Sequence, residues 1–378
     1  MPKTLESATA LLPRMIEAVQ LLVRIESPTH DLAACANIAE IAADLTGEWL
    51  GSPARVEVHD GCPVLRWGPE HPQVLLLGHL DTVWPVGTLD RLPTKFADDQ
   101  LTGPGVFDMK AGVVQALAAV ALLIAEGTDV SAVGLLLTTD EETGSRASRG
   151  VISAAITEAK AVLVFEPSAG GALKTERKGT SWYQIKFHGR AAHAGLDPER
   201  GVNATVEAAA FVIATQTWGD QGAGTTVTPT LLHSGTTANT VPVLAESTLD
   251  VRAWTAAEQQ RIDENVRAWR VSHPEARIEI DGGIDRPPLE AAASLGLFAI
   301  AQNVAQELGL PELKSCAVGG ASDGNLTAAA GVATLDGLGA VGDGAHADHE
   351  WALASAMAER AALTAGIIKA TLYGEVND

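Results

Sequence analysis

The chain has 378 residues, a length that predicts two or three domains. Acidic residues outnumber basic ones, 47 to 26, and the formal net charge of −21 excludes the basic surface that nucleic acid or an anionic membrane would need. Hydrophobic residues make up 46%, which is enough for sizeable cores and excludes wholesale disorder.

Targeting and redox signals are weak throughout the sequence. The N-terminal residues lack the basic segment, apolar run and cleavage site of a secretory signal. The longest apolar stretch, at 113–125, is shorter than a bilayer span and contains Gln115. Three widely spaced cysteines, Cys35, Cys62 and Cys316, favour free thiols over a disulfide scaffold. We therefore expect a cytoplasmic protein that binds neither nucleic acid nor membrane.

The first part of the chain alternates between helical and strand patterns. Residues 5–26 have apolar side chains at helical spacing and stop at Ser27-Pro28. Short strands are predicted at 56–60 and 63–67. Compact apolar strands follow at 73–78, 133–138, 161–165 and 331–336, and long helices at 110–126 and 146–159. Apolar strands that alternate with helices predict an α/β domain with a mostly parallel sheet covered by helices on both faces.

The middle of the chain has a different pattern. Residues 180–189 alternate in polarity like a half-exposed strand, and a helix is predicted at 202–217. Two strands, a second helix and a last strand follow at 225–233, 245–254, 256–271 and 276–281. This β-α-β-β-α-β order is typical of a ferredoxin-like α+β unit. We therefore predict a small domain at 179–287, inserted into a larger domain that is formed by 1–178 and 288–378.

Histidines and carboxylates follow several of the predicted strands. His79 and Asp81 follow the strand at 73–78, and Glu141 and Glu142 follow the strand at 133–138. The remaining candidates, each after a strand or just before a helix, are Glu166, His346 and Asp108. Taken alone, each has a purely structural explanation, such as a solvated turn or a helix cap. Since sites in open α/β sheets form beyond the carboxyl ends of the strands, their joint placement predicts a shared metal site.

The types of residue indicate the metal. Nitrogen and oxygen ligands suit Zn²⁺, although ligand type alone also allows Co²⁺ or Mn²⁺. Five candidate ligands hold two ions with three ligands each if one carboxylate bridges: His79, Asp108, Glu142, Glu166 and His346. Glu141 is then left beside Glu142, where a non-ligand carboxylate is suited to act as a general base.

Short motifs along nearly the whole chain are similar to those of one enzyme family. In chain order they are GHLDTV (78–83), GPGVFDMKAG (103–112), TTDEETGS (138–145), FEPS (165–168), GRAAHAG (189–195), TTANTVP (236–242), GGASDGN (319–325) and HADHEW (346–351). The set resembles the aminoacylase, glutamate carboxypeptidase and succinyl-diaminopimelate desuccinylase family of cocatalytic dizinc metallopeptidases. In that family the inserted domain is a lid and dimerisation domain.

The resemblance implies a role for each metal-site residue. His79, Asp108 and Glu166 are expected to hold one zinc, and His346, Asp108 and Glu142 the other, so that Asp108 bridges. Asp81 is expected to orient His79 without binding metal. Glu141 is expected to take a proton from the attacking water and to pass it to the leaving amine.

The resemblance also implies residues that bind substrate. His193 and Asn239 are expected to come from the neighbouring subunit of a homodimer and to steady the oxyanion and the substrate. Arg286 matches the family arginine that binds a substrate carboxylate. Within the family the motifs are closest to the folate-cleaving glutamate carboxypeptidase branch, where Lys174 corresponds to a lysine near the acidic side chain of the substrate. The segment ERKGTS (176–181) departs from that branch.

The expected activity is therefore cleavage of an amide bond that releases a C-terminal amino acid with a free carboxylate, glutamate being one candidate. An N-acyl-amino-acid deacylase or a dipeptidase of the same family is the main alternative. A metal-binding protein without turnover is disfavoured, because the ligands and Glu141 are all present. A nucleotide-binding enzyme is disfavoured because GPGVFDMKAG (103–112) matches neither common phosphate-binding motif.

Overall fold

A computed structural model describes residues 2–374 of the chain. Two compact units are present. Unit 1 consists of the residues up to Glu176, of Glu290–Val318 and of the residues from Ser322 on, and unit 2 of Arg177–Leu289 with Gly319–Ala321. The second unit thus interrupts the first in the sequence, and a short segment near residue 320 also belongs to it.

The helices and strands have the following bounds. The helices are α1 (Lys3–Val23), α2 (Leu32–Leu50), α3 (Ala111–Ala125), α4 (Arg149–Ala155), α5 (Ala204–Thr215), α6 (Ala256–Ala268), α7 (Leu295–Leu308), α8 (Asp323–Ala329) and α9 (Ala354–Tyr373). The strands are β1 (Arg55–His59), β2 (Cys62–Trp67), β3 (Val74–His79), β4 (Lys95–Ala97), β5 (Gln100–Thr102), β6 (Val133–Thr138), β7 (Ala161–Val164), β8 (Leu173–Arg177), β9 (Gly179–His188), β10 (Thr226–Ser234), β11 (Leu244–Ala253), β12 (Arg277–Arg286), β13 (Ser315–Val318), β14 (Ala333–Leu335), β15 (Gly342–Asp343) and β16 (Trp351–Leu353).

The central sheet of unit 1 has the strand order β1-β2-β6-β3-β7-β14. Strands β6, β3, β7 and β14 are parallel, whereas β1 and β2 form an antiparallel edge. All residues of β3, β6 and β7 are buried, as expected of parallel strands covered on both faces. The continuous apolar runs that the sequence shows at these positions follow from this double burial.

Helices cover both faces of that sheet. On one face α1, α3, α7 and α9 enclose the largest core, and on the other α4 and α8 pack with side chains such as Leu136, Ile152 and Val162. Among the described residues, Val106–Ala125 is the one helical stretch long and apolar enough to cross a membrane. Because 83% of its apolar window is buried in the protein, it is explained as a core helix.

Unit 2 has an antiparallel sheet with the order β10-β11-β9-β12. Alternate residues of β9 and β11 are buried, and they pack with α5 and α6 around Tyr183, Phe187 and Phe211. Asn203 caps α5 by accepting hydrogen bonds from backbone N–H groups, and Thr255 caps α6 in the same way. The β-α-β-β-α-β order is present, and the predicted fold class is confirmed.

Candidate metal and active site

Three neighbouring strands of unit 1 end at the same edge of the sheet. His79 is the last residue of β3, Glu141 and Glu142 follow β6, and Glu166 follows β7. Because β3 lies between β6 and β7 and all three run parallel, their carboxyl ends place these side chains next to one another. Asp108 joins them from the turn that precedes α3.

His79 lies at the centre of the group and is only 1% exposed. Its Nδ1 lies 3.0 Å from the main-chain carbonyl oxygen of Asp81 and therefore donates to it, since a carbonyl only accepts. When the ring is neutral, its Nε2 then carries the lone pair. That atom lies 3.3 Å from Asp108 Oδ1 and 3.6 Å from Glu166 Oε1. A ring nitrogen with a free lone pair among carboxylate oxygens is oriented as a metal ligand.

His346 approaches the same carboxylate from the other side. Its Nε2 lies 3.4 Å from Asp108 Oδ2 and 3.3 Å from Glu142 Oε2. Each oxygen of Asp108 thus faces a different histidine, which is the placement of a bridging carboxylate. The His346 side chain is 51% exposed, so this half of the group is open to solvent whereas the His79 half is enclosed.

The separations between these atoms fit a bound cation. Two ligand atoms held tetrahedrally at roughly 2.0–2.1 Å from zinc lie about 3.3 Å apart, close to the distances of 3.3–3.6 Å found here. Ligand atoms within 4.8 Å of one another form two overlapping sets, one with His79, Asp108 and Glu142 and one with His79, Glu141 and Glu166. Glu142 Oε1 is also buried without a hydrogen-bond partner among the described residues. The residues present fit a metal centre.

Burial and neighbouring charges shift the pKa values of the group. Burial alone would lower the pKa of His79, but hydrogen bonds and charges from Asp108 and Asp81 outweigh it and raise this pKa well above its usual value. The same kind of interaction with Asp108 and Glu142 raises the pKa of His346 to about 10. Burial raises the pKa of Glu142, whereas the two histidines lower that of Asp108 despite its burial. The carboxylates therefore favour positive charge at the positions they surround.

Asp81 supports the group from behind and is completely buried. Its carboxylate accepts hydrogen bonds from the backbone N–H groups of Glu141 and Glu142, at 3.3 and 3.2 Å, and from the hydroxyl of Thr29 at 2.7 Å. Its Oδ1 also lies 3.4 Å from His79 Nδ1. Asp81 thus fixes both the strand end with His79 and the turn that carries the paired glutamates.

His193 and Asn239 lie in neighbouring loops of unit 2 and are both exposed. The backbone N–H of Ala194 donates to the carbonyl of Asn239 at 2.9 Å, so the two loops are paired. His193 Nδ1 accepts from the N–H of Gly195 at 3.1 Å. In the neutral ring, Nε2 therefore carries the proton and is a hydrogen-bond donor.

The two predicted substrate-binding cations lie on strands of different units. Arg286 ends β12, is 5% exposed and pairs in register with Thr180 of β9. Lys174 lies on β8, where its N–H donates to the carbonyl of Asp336 at 2.9 Å and its stem lies against Gly337. Neither residue belongs to the two ligand sets.

Glu350 is a residue that the sequence did not indicate. It is completely buried beside the Asp108 turn, and its carboxylate accepts a hydrogen bond from the backbone N–H of Asp108 at 3.1 Å. The one signal in the sequence was its position in the motif HADHEW, four residues after His346. An acid at that position is equally consistent with a surface residue.

Comparison with known proteins identifies the relationship. The sequence pattern of the peptidase family M20/M25/M40 matches residues 75–370. Carboxypeptidase G2 from a Pseudomonas species is 31% identical, with 96% of this chain and 90% of the relative covered. A succinyl-diaminopimelate desuccinylase from Thioalkalivibrio sulfidiphilus is 27% identical, with 85% and 89% covered.

Solved structures share the fold. Aminopeptidase PepT from Bacillus cereus superposes with a TM-score of 0.74 at 21% identity and covers 96% of this chain and 99% of its own. The family match and the curated relatives confirm the resemblance found in the sequence motifs. The chain belongs to the peptidase family M20/M25/M40 and is a metallopeptidase enzyme.

Proposed function

We propose that the protein is a dizinc hydrolase that cleaves an amide bond and releases a C-terminal amino acid. The observation that carries this proposal is the placement of Asp108, whose two oxygens each face one histidine. In this assignment His79, Asp108 and Glu166 hold one ion, and His346, Asp108 and Glu142 hold the other. Bound zinc would polarise the substrate carbonyl and acidify water.

The protein side chains then handle protons and charge. Glu141 is 9% exposed, its backbone N–H is held by Asp81, and its carboxylate belongs to the set with His79 and Glu166. We assign it the role of general base, which takes a proton from water and returns it to the leaving amine. The Nε2–H of the exposed His193 is suited to donate to the oxyanion of the tetrahedral intermediate.

For the substrate we propose a peptide or N-acyl amino acid with a free carboxylate. Arg286 is the proposed partner of that carboxylate, since a guanidinium fork matches its geometry, and Asn239 a polar contact. Similarity to carboxypeptidase G2 supports a carboxypeptidase. The motif resemblance to the glutamate carboxypeptidase branch supports glutamate as the released residue, with Lys174 near its side chain. Similarity to succinyl-diaminopimelate desuccinylases supports a deacylase or dipeptidase as the second candidate.

We further propose a cytoplasmic homodimer that forms through unit 2. The edge strand β10 exposes Leu231 and Leu232 by 54% and 46%, and the adjoining helix α5 exposes Val206 and Ile213 by 58% and 71%. An unpaired strand edge beside apolar helix residues favours pairing with a second copy.

The experiment that tests the function is mass spectrometry of reaction products. The metal-loaded protein is incubated with N-acyl amino acids, dipeptides and folate-like glutamyl amides, with and without a chelator. Chelator-sensitive release of glutamate supports the carboxypeptidase, and release of other amino acids supports the second candidate. The variant His346→Ala is expected to lose the activity, whereas the half-buried surface variant His59→Ala keeps it. Two bound ions with no product from any substrate would overturn the proposal.

A further inference from the structure

Glu350 is an acid whose described hydrogen bonds come from backbone N–H groups and from an indole N–H. It is completely buried, and four N–H groups donate to it. Its Oε1 accepts from the backbone N–H of Phe107 at 2.9 Å and of Asp108 at 3.1 Å. Its Oε2 accepts from the backbone N–H of Gly105 at 2.9 Å and from the indole Nε1–H of Trp84 at 2.8 Å.

These contacts use the full acceptor capacity of the carboxylate. A carboxylate offers about four acceptor positions, and here each has a donor. Three of the donors belong to one short turn, residues 105–108, which begins at Gly105 in the left-handed conformation (φ +73°) and ends at the bridging residue Asp108. Glu350 therefore fixes the backbone from which the Asp108 side chain projects.

The same residue belongs to the segment that carries His346. Glu350 follows His346 by four residues, and its own N–H donates to the carbonyl of Ala347 at 3.0 Å. The loop between them is short and includes His346 in the left-handed conformation (φ +62°). One buried carboxylate thus joins the turn of Asp108 to the loop of His346, the two ligands that share an ion.

We propose that Glu350 is a positioning residue that sets the distance between Asp108 and His346 and thereby the affinity for the ion they share. This inference rests on the proposed dinuclear site. Glu350 touches neither substrate nor ion and acts through the backbone of Asp108. The ion between His346, Asp108 and Glu142 is expected to depend on it more than the ion between His79, Asp108 and Glu166.

The chemistry of a glutamine at this position makes the inference testable. Glu350→Gln keeps the shape of the side chain but replaces one acceptor oxygen with an NH₂ group. That group must face either the pair Phe107 and Asp108 or the pair Gly105 and Trp84, and in both cases donors oppose donors. The Asp108 turn then loses half of its anchoring.

The test measures metal binding rather than turnover. Wild type, Glu350→Gln and the exposed control Glu359→Gln are stripped of metal, checked by circular dichroism and titrated with Co²⁺ and Zn²⁺ against a competing chelator. We expect Glu350→Gln to bind one of two ions about 10–100-fold more weakly, with a changed visible spectrum of the bound Co²⁺, and Glu359→Gln to match wild type. Equal affinities and spectra in all three proteins would overturn the inference.

A second variant keeps the test decisive if Glu350→Gln does not fold. Trp84→Phe removes one donor to Oε2 and keeps an aromatic ring beneath Arg91, whose guanidinium lies 5.3 Å from the ring centre. A smaller loss of affinity for the same ion, with a shifted Co²⁺ spectrum, is expected, and an unchanged affinity and spectrum would contradict the inference. Wild-type protein that binds fewer than two ions would instead overturn the dinuclear site and this inference together.

Discussion

Acids of the metal-ligand group in unit 1 differ in their ion-pair partners from three acids of unit 2. These three carboxylates of unit 2 pair with arginines close in sequence: Glu258 with Arg261 at 2.7 Å, Asp263 with Arg267 at 2.8 Å and Asp250 with Arg252 at 2.8 Å. In unit 1 the ion-pair partners of Asp108 and Glu142 are histidines, at 3.3–3.4 Å. These separations are longer than those of charge-assisted hydrogen bonds.

The difference separates acids that stabilise the fold from acids that are placed to bind a metal ion. A carboxylate beside an arginine has its counter-ion built into the fold. Around His79 and His346, the described contacts of Asp108 and Glu142 include no arginine. Burying a charge without such a counter-ion is costly. Their arrangement becomes favourable when a cation binds. Substitutions of the carboxylates around His79 and His346 should therefore alter metal content or turnover, and substitutions of the arginine-paired acids in unit 2 should alter stability alone.

The largest effect is expected from the adjacent pair Glu141 and Glu142. Glu141→Ala should lower kcat about 10²–10⁴-fold while both ions remain bound, because a general base is lost and a ligand is not. Glu142→Ala should lose one ion as well as activity. Activity assays combined with elemental analysis of dialysed protein distinguish the two.

The geometry makes this prediction sharp, since Glu141 also lies within ligand distance of His79 and Glu166. If Glu141→Ala loses an ion and Glu142→Ala keeps both, the roles of the two glutamates must be exchanged.

A second prediction concerns His193, a residue of unit 2 that we expect to affect turnover. His193→Ala should lower kcat about 10²–10³-fold at unchanged metal content, because an oxyanion donor is removed. If His193 serves the neighbouring subunit, an equal mixture of His193→Ala and Glu141→Ala that exchanges subunits should regain about one quarter of the wild-type activity, from the mixed dimers with one intact site.

The mixture also reports the opposite arrangement. If His193 serves the site of its own subunit, every site in the mixture lacks one of the two residues and no activity returns. Sedimentation of the mixture and of Ile213→Lys, which places a charge on the exposed face of α5, shows whether a dimer exists at all.

A third prediction concerns Asp81. Asp81→Asn retains the size of the side chain but removes one acceptor that faces the N–H groups of Glu141 and Glu142. We expect the metal affinity to be about 10–100-fold weaker. Asp81 is not itself a ligand, but its substitution shifts the ligands that it holds in place. Thr29→Val, which removes only the hydroxyl donor to Asp81, is the matched milder variant. Chelator competition measures both, and a loss that is larger for Thr29→Val would contradict this role.

The sequence predicted the residues that follow strands better than those that support them. His79, Glu142 and Glu166 could be found because apolar runs mark β3, β6 and β7, and the carboxyl end of each run is visible in the sequence. The exposed loops of His193 and Asn239 carried no such pattern and were found through family motifs alone.

Residues whose role depends on long-range contacts could not be predicted. Glu350 is buried because the turn at 105–108 folds over it, and no local period records that contact. The small sheet of β4, β5, β15 and β16 escaped prediction because its strands are two or three residues long and β4 is exposed. Strand β12 extends to Arg286 beyond the predicted end at 281, because glycines at 282 and 283 conceal its alternation.

The smallest effect is expected for a paired acid of unit 2. Hydrogen bonds from Arg261 and then Thr225 lower the pKa of Glu258 from 4.5 to about 2. Since the folded state favours the ionised form, this contribution to stability is complete above pH 4.5 and is lost as the pH falls through 2. Glu258→Gln should therefore lower the thermal midpoint by about 1–2 °C at pH 7, the size expected of a surface ion pair.

The pH dependence distinguishes this charge effect from a change in packing. The difference between Glu258→Gln and wild type should shrink as the pH falls from 4.5 through 2 and vanish only well below pH 2, where both side chains are neutral, whereas lost packing would persist at every pH. Glu264→Gln, exposed on the same helix, is the control. Metal content and kcat should not change in either variant, because the counter-ion of Glu258 is an arginine in its own unit. A loss of bound ions in Glu258→Gln would show that the acids of the two units are not separate in function.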